Sequence, residues 1–241
     1  MSENASWKIN LEKYHSIAPD FDLDPNSTAL LIIDMQYLDA HYDYGLGLTL
    51  RTEYPEVASY YFKRLTEIVI PNHIRLLEFF RRNSLKIIYL TVGSVLPDGS
   101  DALFLSKFRK EAVGKSLLFP QGSFEHGILE EVRPQAGELV INKTSSGAFN
   151  STAIDQTLRN MGIDGLVIAG VVTNVCVETT ARDAADRGYK CILVDDACAA
   201  QSQDWHDSTL RTFSTVFGKV QTTNEIIEYL QNRSKSAKMS A

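Results

Sequence analysis

The sequence predicts a doubly wound α/β fold, a parallel sheet of about six strands with helices on both faces. Three observations carry this. Short, almost wholly apolar runs recur along the chain, as strands buried on both faces do. Amphipathic segments with helical spacing separate them, and strand–helix alternation implies parallel pairing through right-handed crossovers. Two long connections leave the first two strands, where open α/β sheets place their ligands.

The first strand is ALLIID (29–34), bounded by Pro25-Asn26 and by polar residues. KIIYLTV (86–92), ELVINK (138–143), GLVIAGVV (165–172) and KCILVDDA (190–197) repeat the pattern, and KVQTT (219–223) adds a sixth. Helices are expected over 66–83, where Pro71 must begin or kink the helix, and over 151–161, opened by the capping run NST. Others are expected over 176–187, stopped by Gly188, over 204–217 and over 223–231. The lead-in to about Pro25 and the tail RSKSAKMSA read as loose ends around a single domain with its core at about 27–230. Segments 35–61 and 93–137 read as long loops forming pocket walls.

The chain has 241 residues, 44% of them hydrophobic and 22% charged, with a net charge of −6. That balance suits a globular protein and argues against nucleic acid or an anionic membrane surface as partner. There is no apolar run long enough for a membrane span and no signal-peptide pattern, so a cytoplasmic setting is expected. Three cysteines (Cys176, Cys191, Cys198) do not make a disulfide framework. Cys191 and Cys198 read as packing residues. No glycine pattern matches a nucleotide cradle, and there is no G-x-S-x-G elbow. His15, His41, His73, His126 and His206 share no metal-ligand spacing. Trp205 and His206 read as packing and cap.

Three polar residues stand at strand ends. Asp34 closes the first, Lys143 the third, and Cys176 follows the fourth by a short turn, so all belong to one sheet edge. A lone cysteine at a helix start is more often an inert small hydrophobe. Beside a carboxylate and an amine it becomes a nucleophile with a proton carrier and a charge partner. The helix N-terminus and the ammonium should favour thiolate. Asp34 could move the proton, and N–H groups at the turn could receive an oxyanion.

The runs ALLIIDMQ (29–36), INKTSSGAFNST (141–152) and GVVTNVCVETTARDAADRGY (170–189) together resemble the isochorismatase-like cysteine hydrolases. The resemblance implies a three-layer α/β/α sandwich with a six-stranded parallel sheet and a catalytic triad of Asp34, Lys143 and Cys176. It implies a cis peptide between Val171 and Val172, and an oxyanion hole from the Val172 and Cys176 N–H groups. Tyr37, Phe149 and Asn174 are expected against the substrate. Nicotinamidase relatives bind zinc through residues after the second strand; TVGSVLPDGSD has no histidine there, so neither metal nor cofactor is expected. True isochorismatases lack the nucleophilic cysteine. Cys176 therefore points to the amidohydrolase branch, similar to the ureidoacrylate, biuret and carbamoyl-amide hydrolases: a thioester route releasing ammonia or an amine from a small amide or ureide. Vinyl ether or ester hydrolysis with Asp34 as the acid, and a catalytically silent binding module, are the alternatives. A dimer or tetramer is expected by analogy.

Overall fold

In the computed structural model, which describes residues 6–8, 18–103 and 119–239, six parallel strands form one sheet. They are β1 (Thr28–Ile33), β2 (Lys86–Val92), β3 (Leu139–Lys143), β4 (Gly165–Val171), β5 (Lys190–Ala199) and β6 (Lys219–Gln221). Their order is β3-β2-β1-β4-β5-β6. The chain reverses its direction of winding between β1 and β4, the switch point at which such sheets open a crevice.

The apolar runs become strands because both of their faces are covered. Every residue of β1 is buried. Leu30 and Ile32 join one core with Tyr61, Leu65, Leu76 and Phe80. Ala29, Leu31 and Ile33 point the other way, into a second core with Leu158, Val177, Ala181, Leu210 and Phe213. The period of two thus sorts one strand between two helical layers. The first layer holds α1 (Tyr37–Ala40), α2 (Gly45–Glu53), α3 (Pro55–Arg64), α4 (Ile70–Arg82) and, through Ile226 and Leu230, the C-terminal helix. The second holds α5 (Ile154–Asn160), α6 (Glu178–Asp186) and α7 (Gln203–Val216).

Several expectations change. Segment 35–61 is not loop but three helices. Gly45, Gly47 and Pro55 look like breakers in sequence, yet Gly45 sits at φ +47 where an added Cβ would lie 2.1 Å from the Leu38 carbonyl oxygen. It is the residue that lets α2 close on α1, while Pro55 occupies the first turn of α3, where a missing N–H is harmless. Pro71 begins its helix as expected, in the first turn of α4. The wide turn Leu65–Val69 precedes it, with the Ile70 N–H donating to the Leu65 carbonyl, and makes room for the proline ring. NST does not cap by its asparagine or serine; α5 starts at Ile154, whose N–H donates to Thr152 Oγ1 at 3.1 Å.

The ends are less loose than expected. Trp7 is buried and its indole N–H donates to Asp195 Oδ2 at 2.9 Å. The last helix, α8 (Thr223–Met239), reaches into the supposed tail, whose residues 240–241 lie outside the described part, since no glycine or proline follows Gly218 to stop it. No helix among the described residues is long and apolar enough to cross a membrane.

Candidate active site

Asp34 is the first residue beyond β1, fully buried and at φ +52, a left-handed conformation uncommon for a side chain of this kind. Its N–H donates to the Leu90 carbonyl at 2.9 Å, which ties the turn to β2. Beside it Gly170 reaches φ +129; a Cβ there would stand 2.0 Å from the Ile33 carbonyl oxygen. Glycine therefore lets β4 press against the end of β1, where the two connections part.

Lys143, the last residue of β3, crosses under β2 to meet Asp34. Its Nζ donates to Asp34 Oδ2 at 2.7 Å and to the Ser145 carbonyl at 3.1 Å, and neither charged side chain has any exposure. Asp34 Oδ1 has no conventional hydrogen-bond partner; the Cys176 thiol is the other group that couples to this carboxyl. Cys176 lies in the turn Thr173–Val177 leading into α6 and is partly exposed. The Val171–Val172 peptide just before this turn is cis. The three residues singled out at strand ends thus meet at one place.

Burial sets the resting protonation. It lifts the Asp34 carboxyl above its ordinary range, and the Lys143 charge only partly offsets this. It would depress the Lys143 ammonium, but the Asp34 charge outweighs it and holds that pKa high. Burial, then the Asp34 charge, push the Cys176 thiol well above its usual value. Here the expectation of a ready thiolate is corrected. The ammonium is spent on Asp34, so both causes at Cys176 act against a ready thiolate. Cys191 and Cys198 are fully buried packing residues, as expected.

Over this group opens a cavity of about 220 Å³. Each of the first five strands contributes to it from its carboxyl end: Leu38, Asp39 and Leu46 after β1; Val92, Leu103 and Phe119 at and after β2; Thr144, Ser145 and Ser146 after β3; Val172, Val175 and Cys176 after β4; and Gln201 after β5. Both long connections supply walls, with residues 104–118 outside the described part. Tyr37, Phe149 and Asn174 fall outside this lining. Tyr37 packs in an aromatic group with Tyr44 and Phe124. Phe149 is a core residue against Tyr189 and the Arg187 guanidinium. Asn174 occupies the turn with its Oδ1 enclosed and unpartnered.

Three supporting residues were not evident from spacing. Gln36 is fully buried and staples three segments: its amide accepts from the Val92 N–H (2.7 Å) and donates to the Val92 (3.2 Å) and His126 (2.7 Å) carbonyls. His206 is more than a cap residue. Its Nδ1 is hydrogen-bonded to the Thr173 hydroxyl at 2.9 Å and its Nε2 lies 2.9 Å from Asp195 Oδ1 and 3.0 Å from the Arg64 guanidinium, so it anchors the nucleophile's turn to β5. Ser202 does the capping, and Trp205 is half exposed. Asp39, five residues after Asp34, lines the cavity itself. No three His, Cys, Asp or Glu side chains among the described residues are grouped to hold a metal ion.

The isochorismatase domain model matches residues 28–225. This chain belongs to the isochorismatase family. It is 36% identical over 163 residues to the uncharacterized isochorismatase family protein YwoC of Bacillus subtilis, spanning 68% of this chain and 84% of that one. It is 28% identical over 227 residues to the ureidoacrylate amidohydrolase RutB of Acinetobacter baylyi, covering 90% and 89%. Among solved structures it resembles a cysteine hydrolase from Pseudomonas syringae pv. phaseolicola, with a TM-score of 0.74 and 26% identity over 90% of this chain and 98% of that chain. The six-stranded parallel sheet flanked by helices is the fold of these isochorismatase-like neighbours.

Proposed function

We propose that this protein is a cysteine amidohydrolase that cleaves the C–N bond of a small linear amide or ureide. The observation that carries the reading is the meeting of Asp34, Lys143 and Cys176 at the sheet edge, with Cys176 lining the cavity. The likeness to a ureidoacrylate amidohydrolase supports the same class of bond.

With the thiol's pKa pushed up by burial and the Asp34 charge, attack and proton transfer go together. As Sγ bonds to the substrate carbonyl carbon, its proton passes to the Asp34 carboxylate, the acceptor coupled to it. The carbonyl oxygen becomes an oxyanion, for which the Val172 and Cys176 N–H groups are the donors at the cavity edge. Protonated Asp34 then delivers its proton to the departing nitrogen, the C–N bond breaks, and a thioester remains on Cys176. Water attacks the thioester with Asp34 taking its proton; the acid leaves and the thiol is restored. Lys143 holds Asp34 in place throughout and keeps its carboxylate form accessible in a dry site.

The test is Cys176→Ala. Ammonia or amine release should fall to background while the thermal melt stays within a few degrees of the parent. An intact-mass adduct of substrate acyl on wild-type Cys176 is expected when turnover is quenched with acid. Full activity in the variant would end the proposal, and turnover without an adduct would favour ether or ester hydrolysis with Asp34 as the acid.

A further inference from the structure

Asp39 lines the cavity but has no part in the steps above, and it is placed with care. Its N–H donates to the Gln36 carbonyl at 3.2 Å, and its carbonyl accepts from the hydroxyl of the fully buried Tyr61 at 3.1 Å. On either side, the Leu38 N–H donates to the Glu125 carbonyl (2.8 Å) and the Ala40 N–H to the Gln36 carbonyl (2.8 Å). The backbone is pinned, so the side chain is delivered to one place. No hydrogen bond or ion pair from a described residue reaches its carboxyl. Asp34 and Lys143 are not part of the lining and neutralise one another at 2.7 Å. Among the described lining residues, Asp39 is the one charged side chain, and the Lys143 ammonium that attracts it is hydrogen-bonded to Asp34 instead. Its neighbours Thr144, Ser145, Ser146 and Gln201 are neutral.

We propose that Asp39 is the specificity-determining residue of this cavity, selecting amides or ureides whose far end presents N–H donors over those that present a carboxylate. The donor end would be an ammonium, an amidinium or a terminal carboxamide or ureido NH2. The proposal rests on the amide-hydrolysis reading for its substrate class, but its test does not require turnover. A carboxylate of the substrate would meet a like charge in a poorly hydrated space, whereas an N–H donor replaces the water that Asp39 loses when the cavity fills. Burial and the nearby Asp34 charge raise the Asp39 pKa to about 7, which a bound donor would reverse. On this account an anionic ureide such as a ureidoacrylate is a poor fit for this chain.

Three short amides separate the ideas: β-alaninamide, shorter by one atom, carries an ammonium at its far end, succinamide a neutral carboxamide, and succinamate a carboxylate. Their dissociation constants are measured by calorimetry at pH 8 on Cys176→Ala protein, which binds without reacting, and again with Asp39→Asn or Asp39→Glu added. Both donor ligands should bind at least about tenfold more tightly than succinamate, the low end for a hydrogen bond to a charged group. Asp39→Asn should erase that ratio and Asp39→Glu should keep most of it. If β-alaninamide alone leads, the site reads charge; if succinamide matches it, the site reads the N–H donor. Equal binding of all three, no binding by either donor ligand, succinamate leading, or a ratio unmoved in a folded Asp39→Asn protein overturns the proposal. Charge-ordered binding together with a wild-type enzyme that releases no ammonia would sink the amide reading and leave the role of Asp39 standing.

Discussion

Lys143→Met is the most informative single perturbation, because it removes one half of an ion pair with no exposure on either side. The methionine fills most of the lysine's volume, so the loss is electrostatic rather than a cavity. What remains is a buried Asp34 carboxylate stripped of its Oδ2 partner, with Oδ1 already lacking a conventional one. Breaking a buried pair in this way costs about 3–5 kcal/mol. For a chain of this length that corresponds to a fall in melting temperature of roughly 6–20 °C. The sign with pH follows from linkage. Without the ammonium, Asp34 in the folded protein holds its proton to still higher pH than in the unfolded chain. The folded form is then favoured when Asp34 is protonated, and the deficit against the parent grows as pH rises from the parent's raised Asp34 pKa toward the still higher one of the variant. Urea unfolding of variant and parent at pH 5 and pH 8 should show the smaller deficit at pH 5. Adding Asp34→Asn to Lys143→Met should recover most of the loss, since no charge is then stranded. A deficit below about 1 kcal/mol at pH 8 would place the pair among ordinary surface ion pairs and refute the reasoning, as would a double variant no more stable than Lys143→Met.

Other expectations follow from the same structure. Gly170→Ala would set a Cβ 2.0 Å from the Ile33 carbonyl oxygen at φ +129; the loss should exceed 3 kcal/mol or so, the scale of severe overpacking and backbone strain, and a variant melting with the parent would refute the close contact. His73 is fully buried, donates from Nδ1 to the Val69 carbonyl at 2.9 Å and leaves Nε2 unpartnered; burial lowers its pKa to about 4. Its neutral form is the one the fold accepts, so stability is lost as pH falls from about 6.5 toward 4, by about 2 kcal/mol between pH 7 and pH 5. His73→Leu should flatten that part of the stability profile relative to the parent, read from urea midpoints across the range.

Much of the fold was legible because burial leaves a mark on local sequence. The run 29–34 is apolar at every position but its last, since helices cover both faces of β1, and its one polar residue stands where the strand leaves the core. Lys143 and Cys176 carry the same mark at the ends of their own runs. Segment 35–61 was not legible as helix, because Gly45 and Pro55 are breakers in isolation and good choices only where α1, α2 and α3 touch. Tyr37 and Phe149 read as pocket walls, but an aromatic residue near a catalytic position has no periodicity to say whether it faces solvent, core or cavity. Asp39 was passed over because one more acid in a polar stretch carries no local signal.

The sequence by itself determined the parallel α/β class and the polar residues at or just after the ends of three strands, for apolar runs and their breaks record which atoms must leave water. Tertiary structure alone decided that β3, β2, β1 and β4 lie side by side, so that an ammonium 109 residues from its carboxylate stands 2.7 Å away. It also decided that burial and the Asp34 charge push the thiol's pKa up, that His206 anchors the turn carrying it, and that Asp39 faces the cavity. These depend on the field and the contacts of groups far apart along the chain, and such interactions arise only when the sheet order and the packing of its helices have brought them together.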